Sequence, residues 1–276
     1  MFAIRGEIMK KGIRGHDVRA EGIKNICAVA KRNGIEYVQL VLEKSVDGFE
    51  TGKFTNDYAE SLKNELGNCK VAILGSYINP SNPDDNELRT DIAKFKEKIK
   101  YASVLAPIAV GTETGIYVEG LTDTEEAYQR VLNTIREVVL EAEKYDICVG
   151  IEGVHCFVIN TPQKMKRLLD DVDSDNLKVI YDPINYLNIS NYQNQDDIII
   201  DTFNLLSKRI CVLHAKDFIV ENGKLRTVEP TSGLLNYDLI FRKMKEHGLD
   251  IPIICEEFNE DEAVNAFENL EKLWRN

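Results

Sequence analysis

At 276 residues the chain exceeds an ordinary single domain but suits one large α/β domain. Hydrophobic residues make up 43% and charged ones 29%, enough to fill a core and too apolar for a disordered chain. Its 34 basic against 46 acidic residues give a net charge of −12, with no Lys/Arg cluster, which argues against a nucleic-acid partner. Residues 1–7 hold no apolar stretch of signal-peptide length. No uncharged apolar run nears the ~18 residues of a membrane span, so no membrane partner is expected. Six cysteines are scattered without CxxC pairing, three of them inside apolar runs where Cys behaves as a small hydrophobe. A reduced, cytoplasmic protein is the expectation.

Short runs rich in Val and Ile predict strands at 2–5, 35–40, 70–77, 103–111, 147–153, 177–182, 209–214 and 251–256. Segments of helical period lie between them. Asn33-Gly34 closes the first and Gly67 the second. Thr122-Asp123-Thr124-Glu125 reads as a capping box opening a long helix over 125–145. Thr161-Pro162 supplies an N-cap followed by proline at the first helical position. His247-Gly248 ends a seventh helix, where an imidazolium suits the dipole. A last helix over 262–274 places Val264, Phe267, Leu270, Leu273 and Trp274 at helical spacing.

Eight such units of about 35 residues predict a (β/α)8 TIM barrel, a parallel eight-stranded barrel with outer helices. No linker or composition shift divides the chain, so residues 1–276 read as one domain. A doubly wound open sheet shares the alternation, but no glycine-rich phosphate loop follows the first strand.

Barrels carry their chemistry at the C-terminal ends of the strands. Strands five to eight end on Glu152, Asp182, His214 and Glu256, each a polar residue closing an apolar run. Period-2 alternation turns Val149, Ile151, Val179, Tyr181, Cys211, Leu213, Ile253 and Cys255 outward, against the helices, and the four polar groups inward. A one-residue slip at the last strand would exchange Glu256 for Glu257. Three converging carboxylates and an imidazole call for a cation, and oxygen-rich ligation suits one divalent ion, Mn²⁺ first, with Mg²⁺ or Co²⁺ as alternatives. By charge alone such a site would carry about −1.

Further motifs are Arg14-Gly15-His16-Asp17, Val38-Gln39-Leu40 with Lys44, Leu74-Gly75-Ser76-Tyr77-Ile78-Asn79-Pro80, Gly111-Thr112-Glu113-Thr114-Gly115, Ile151-Glu152-Gly153-Val154, Asp182-Pro183-Ile184-Asn185 and His214-Ala215-Lys216-Asp217-Phe218. In this order and spacing they resemble the sugar (phosphate) isomerase/epimerase family of xylose-isomerase-like TIM barrels, over nearly the whole chain. The resemblance implies that Glu152, Asp182, His214 and Glu256 bind the metal. It also implies that Glu152 and Glu256 move a proton on either face of the substrate. Asn185 departs from the family, whose characterised epimerases often place a substrate-binding His there, and 215–220 lacks the Arg they place after the metal His. Both departures argue against a free ketohexose, and His155 is the candidate to take over a polar contact.

A second tier of substrate-binding candidates comprises His155, Asn185, Lys216, Glu113, Tyr77 and His16. Glu113 lies between two glycines in a loop, or is a turn glutamate facing water. Lys216 shares the inward parity of His214, or forms a surface pair with Asp217. Tyr77 and Asn79 follow strand three at alternating positions. His16-Asp17 opens the first helix, with Asp17 as its N-cap.

The expected activity is a metal-dependent sugar or sugar-phosphate isomerase or epimerase acting by proton transfer through an enediolate. A metal-dependent lyase or dehydratase on a keto-sugar or keto-inositol is the alternative, as is a non-catalytic sugar-binding barrel. An endonuclease at abasic sites would need a histidine-rich site and a basic groove, and the chain has four histidines. The partner is a small-molecule sugar or sugar phosphate, with a homo-oligomer left open.

Overall fold

Eight parallel strands close on themselves in the computed structural model, which describes residues 8–19, 21–257 and 263–275. In chain order the strands are β1 (Lys11–Arg14), β2 (Tyr37–Leu40), β3 (Lys70–Gly75), β4 (Ala109–Glu113), β5 (Val149–Glu152), β6 (Leu177–Tyr181), β7 (Ile210–Ala215), β8 (Asp217–Glu221), β9 (Lys224–Val228) and β10 (Ile253–Cys255). β8 and β9 form a separate antiparallel hairpin; the other eight make the barrel, closed by β1 pairing with both β2 and β10. The helices are α1 (Ile23–Arg32), α2 (Leu42–Ser45), α3 (Asn56–Leu66), α4 (Asp85–Leu105), α5 (Glu125–Glu143), α6 (Pro162–Val172), α7 (Gln195–Leu206), α8 (Tyr237–Glu246) and α9 (Ala263–Arg275). This is the eight-fold (β/α) barrel that the alternation predicts. Among the described residues no helix is long and apolar enough to cross a membrane, and all six cysteines are free.

The caps follow the sequence. Thr55, Asp84, Thr124, Thr161 and Asn236 each accept a backbone N–H of the helix they open. Four elements differ from expectation. The strand expected at 2–5 lies outside the described residues, and the barrel's first strand is Lys11–Arg14. Residues 103–105 complete α4 instead of opening a strand, because Ala102 and Leu105 continue its buried face until Ala106 turns left-handed at φ 52°. Asp17 caps no helix: it sits in a short 3-10 turn and accepts from Arg14 Nε, while α1 starts at Ile23. The β8–β9 hairpin was not expected, although its Asn222-Gly223 turn, with φ 50° and 72°, carries the usual two-residue hairpin signal.

The barrel interior explains why the polar groups stand at its rim. Ile180, Val212 and Ile254 pack with Tyr37, Ala72 and Ile73 in an inner cluster, each two residues before Asp182, His214 and Glu256. Val149, Ile151, Val179, Tyr181, Leu213, Ile253 and Cys255 face the helices instead. Cys211 is a correction. The β6–β7 register shifts between Val179 and Ile180, so Cys211 falls at the irregularity and packs against the inner cluster. Room for the isoleucines comes from glycine: a Cβ on Gly150 would sit 2.9 Å from Ile180 Cδ1. An apolar floor therefore supports a polar rim.

Candidate active site and metal centre

Glu152 ends β5, Asp182 directly follows β6, His214 is the penultimate residue of β7 and Glu256 directly follows β10. These strands are neighbours around the barrel, so the four side chains share one arc of the rim. None is more than 4% exposed. His214 Nδ1 lies 3.4 Å from Glu152 Oε1, 3.5 Å from Glu256 Oε1 and 3.9 Å from Asp182 Oδ2, and makes no hydrogen bond. Its other nitrogen, Nε2, is 2.9 Å from Gln39 Oε1.

Glu152, Asp182 and His214 offer ligand atoms within 4.8 Å of one another, a buried triad that could hold a metal ion. Glu256 touches His214 from the side; its Oε2 faces Arg14 Nη1 at 3.2 Å and Lys216 Nζ at 3.5 Å. Glu257, exposed and left-handed at φ 56°, also reaches Arg14, but of the two adjoining glutamates it is Glu256 that is buried beside His214. A buried imidazole nitrogen without a partner, aimed among carboxylates, fits a divalent ion bound by oxygen and one nitrogen.

The expected net charge of −1 needs correction. Lys216 Nζ lies 2.7 Å from Asp182 Oδ2, and Arg14 adds a second cation on Glu256. With those two groups counted against Glu152, Asp182 and Glu256, the site carries −1 before a metal ion is added and about +1 with a divalent ion in place.

A cleft of about 340 Å³ opens above the triad, and the candidates divide around it. Asn185 lines it, but its amide donates to Glu152 Oε1 at 2.5 Å, so it orients a glutamate. Lys216 lines it and is not in a surface pair, because Asp217 turns away to accept from the backbone of Phe218, Gly233 and Leu235. Glu113 is a β4 residue opposite Glu152, not part of a flexible loop. Tyr77 lines the cleft and is partly exposed, and its hydroxyl accepts from Gln39 Nε2 at 2.8 Å. His16 lies at the mouth, with Nδ1 buried and unpartnered. His155 is exposed, is not among the lining residues and holds the backbone of Asn185. Asn79 turns to Ser81, and His247 stacks on Phe203. A larger cavity of about 800 Å³ opens between α1 and α3 at the other end of the barrel. The carboxylates converge on the smaller one.

Two residues of the sequence motifs had no role assigned to them. Gln39, wholly buried in β2, bridges His214 and Tyr77; a lone amide inside Val38-Gln39-Leu40 was its signal. Arg14 ends β1, and its place at the rim was not legible with the first strand expected at 2–5.

The electrostatics follow from this packing. Burial opposes protonation of His214, but Glu256 and Glu152 outweigh it and raise the imidazole to about 9. Burial would raise Glu256, yet His214, Lys216 and Arg14 hold it below the ordinary range. Burial, and then the charge of Glu152, push Glu113 up to about 7. His16 falls to about 4 through burial and the charges of Lys44 and Arg14.

Comparison with known proteins adds the lineage. A D-tagatose 3-epimerase-like protein superposes with a TM-score of 0.78 at 19% identity, over 97% of each chain. An IOLI protein with a bound zinc atom gives 0.79 at 17% identity, over 96% of this chain and 98% of that one. The probable 3-DHS dehydratase AsbF of Bacillus anthracis gives 0.74 at 19%, over 95% and 99%. At such identities the likeness speaks for the fold, and epimerase and dehydratase names both occur on it. The family model described as xylose isomerase-like TIM barrel matches residues 27–275. With nearly the full barrel inside that match, the chain belongs to the xylose isomerase-like TIM barrel family.

Proposed function

We propose that this protein is a metal-dependent isomerase or epimerase of sugars or sugar phosphates, acting by proton transfer through an enediolate. Residues 1–276 act as one domain, and the six free thiols support a cytoplasmic setting. One observation carries the reading: Glu152 and Glu256 flank His214 Nδ1 at 3.4 and 3.5 Å, two carboxylates on either side of one point. Glu152, Asp182, His214 and Glu256 would hold the ion, with Mn²⁺ preferred and Mg²⁺ or Co²⁺ able to replace it on this donor set. When bound, the cation polarises the substrate carbonyl and favours the enediolate.

The chain's own groups then handle the proton. Glu256, kept ionised by Arg14 and Lys216, suits the base that removes it from the carbon beside the carbonyl. Return of that proton by Glu256 to the neighbouring carbon gives aldose–ketose isomerisation. Epimerisation follows when Glu152, oriented by Asn185 and entering in its protonated form, donates its own proton to the opposite face of the same carbon and the proton on Glu256 passes to solvent. Tyr77 and Asn185 line the cleft beside the reacting atoms, with Glu113 protonated for part of the time near neutrality.

The test is solvent-deuterium incorporation into a panel of ketoses and their phosphates, with Mn²⁺ present. Exchange at a carbon beside the carbonyl, lost by at least 10³-fold in Glu152→Gln and in Glu256→Gln, is the expected result. Release of water with an unsaturated product would assign the lyase alternative on a keto-sugar or keto-inositol. Binding with no exchange in any sugar would leave a non-catalytic sugar-binding barrel.

A further inference from the structure

The cleft above the triad does not end at its mouth. A second cavity of about 420 Å³ adjoins it, and His16 and Lys44 line both. Lys44 is exposed and makes no hydrogen bond or ion pair among the described residues, unlike Arg14 and Lys216, whose charges are taken by carboxylates. Beside it, Ser45 is 1% exposed and its Oγ has no hydrogen-bond partner. His16 Nδ1 is likewise buried and unpartnered. Buried polar atoms without partners are uncommon, and two of them beside an unpaired lysine point to a ligand that satisfies all three.

We propose that this junction is a subsite for an anionic group on the substrate, a phosphate ester or a carboxylate, held by Lys44 with Ser45 and His16. The proposal rests on the isomerase reading for the other end of the substrate, whose carbonyl would lie at the triad. Deeper in, the second cavity sets Glu21 and Asp47 against Arg19, all exposed, an acidic excess that favours the junction for the anion. Glu43 does not compete, because it pairs with Lys98 on α4. With Lys216 and Arg14 counted, the metal-loaded site is no longer net negative, which removes the repulsion such a substrate would otherwise meet.

Three hexuloses that differ only at carbon six test this: D-fructose, D-fructose 6-phosphate and D-fructuronate, titrated calorimetrically into the full chain loaded with Mn²⁺. The phosphate or the carboxylate analogue should bind at least tenfold more tightly than fructose, and the tighter of the two identifies the group. Lys44→Met should bring that analogue to within twofold of fructose and leave fructose itself unchanged, and Lys44→Arg should keep the preference. Equal binding of all three ligands, or an undiminished preference in Lys44→Met, would overturn the subsite. Deuterium exchange scored in the same samples separates the two claims. Anion preference without exchange keeps the subsite and removes the isomerase reading, and exchange without preference does the reverse.

Discussion

Gln39 Oε1 stands 2.9 Å from His214 Nε2, and the amide nitrogen of Gln39 donates to Tyr77 Oη at 2.8 Å. The second bond fixes the first: with its nitrogen turned to the tyrosine, Gln39 presents only an acceptor to the histidine. Nε2 must then carry the proton, which leaves Nδ1 as the nitrogen facing Glu152, Asp182 and Glu256. A residue from β2 thus sets the donor offered by β7 across the barrel. Gln39→Leu should weaken divalent metal affinity about 10- to 100-fold, as loss of such an orienting partner does elsewhere. Gln39→Glu, which retains an acceptor, should lose less. Competition against a chelating dye reads both, and equal affinity in Gln39→Leu and the parent chain would remove the orienting role.

Metal uptake should release a proton. With no cation, the surrounding carboxylates hold His214 protonated to about 9, and a ligating Nδ1 cannot keep its proton. At pH 7.5 about one proton should leave per Mn²⁺ bound. The count comes from calorimetry in two buffers of different ionisation enthalpy. His214→Asn should reduce both the affinity and the proton count; an unchanged count would place the released proton elsewhere.

Glu113 gives a stability prediction with a definite sign. Its carboxyl rises from the ordinary 4.5 to about 7 in the folded chain, by burial and the charge of Glu152. Between those values the folded state binds more protons than the unfolded one, so stability falls as pH rises through that window. Screening at a partly exposed site reduces the effect to about 1–2 kcal/mol. Glu113→Gln should therefore gain on the parent chain by that amount between pH 5 and 8, in denaturant titrations with EDTA present. A constant difference across pH would contradict the shift.

Much of this was legible in the sequence because strand alternation is a strict rule. Glu152, Asp182, His214 and Glu256 could be aimed inward from the apolar residues around them, and Ile180, Val212 and Ile254 lie beneath them as that pattern requires. The rule failed where geometry is not strictly periodic. Cys211 stands at a register shift, which leaves no mark in a run of apolar letters. Val104 and Leu105 satisfy a helix or a strand equally, and only the left-handed Ala106 decides between them. Charge compensation was illegible for another reason. Arg14 meets Glu256 across the β1–β10 seam, 242 positions along the chain, and barrel closure alone brings them together. His155 lies on a loop, where no period fixes direction, and its exposure could not be read from the spacing.

That same seam offers a test of how the floor supports the rim. A Cβ on Gly12 of β1 would lie 2.1 Å from Ile254 Cδ1, and Ile254 is two residues before Glu256. Gly12→Ala should cost about 1–3 kcal/mol, since the isoleucine must leave its rotamer inside a filled interior. Ile254→Val, which deletes the colliding carbon, should cost about 0.5–1.5 kcal/mol alone. Combined, the two should cost clearly less than both together, because the second substitution removes the clash made by the first. Urea unfolding of the four chains gives the coupling. Strict additivity would mean that Ile254 has somewhere else to go, and that the floor beneath Glu256 is looser than its packing indicates.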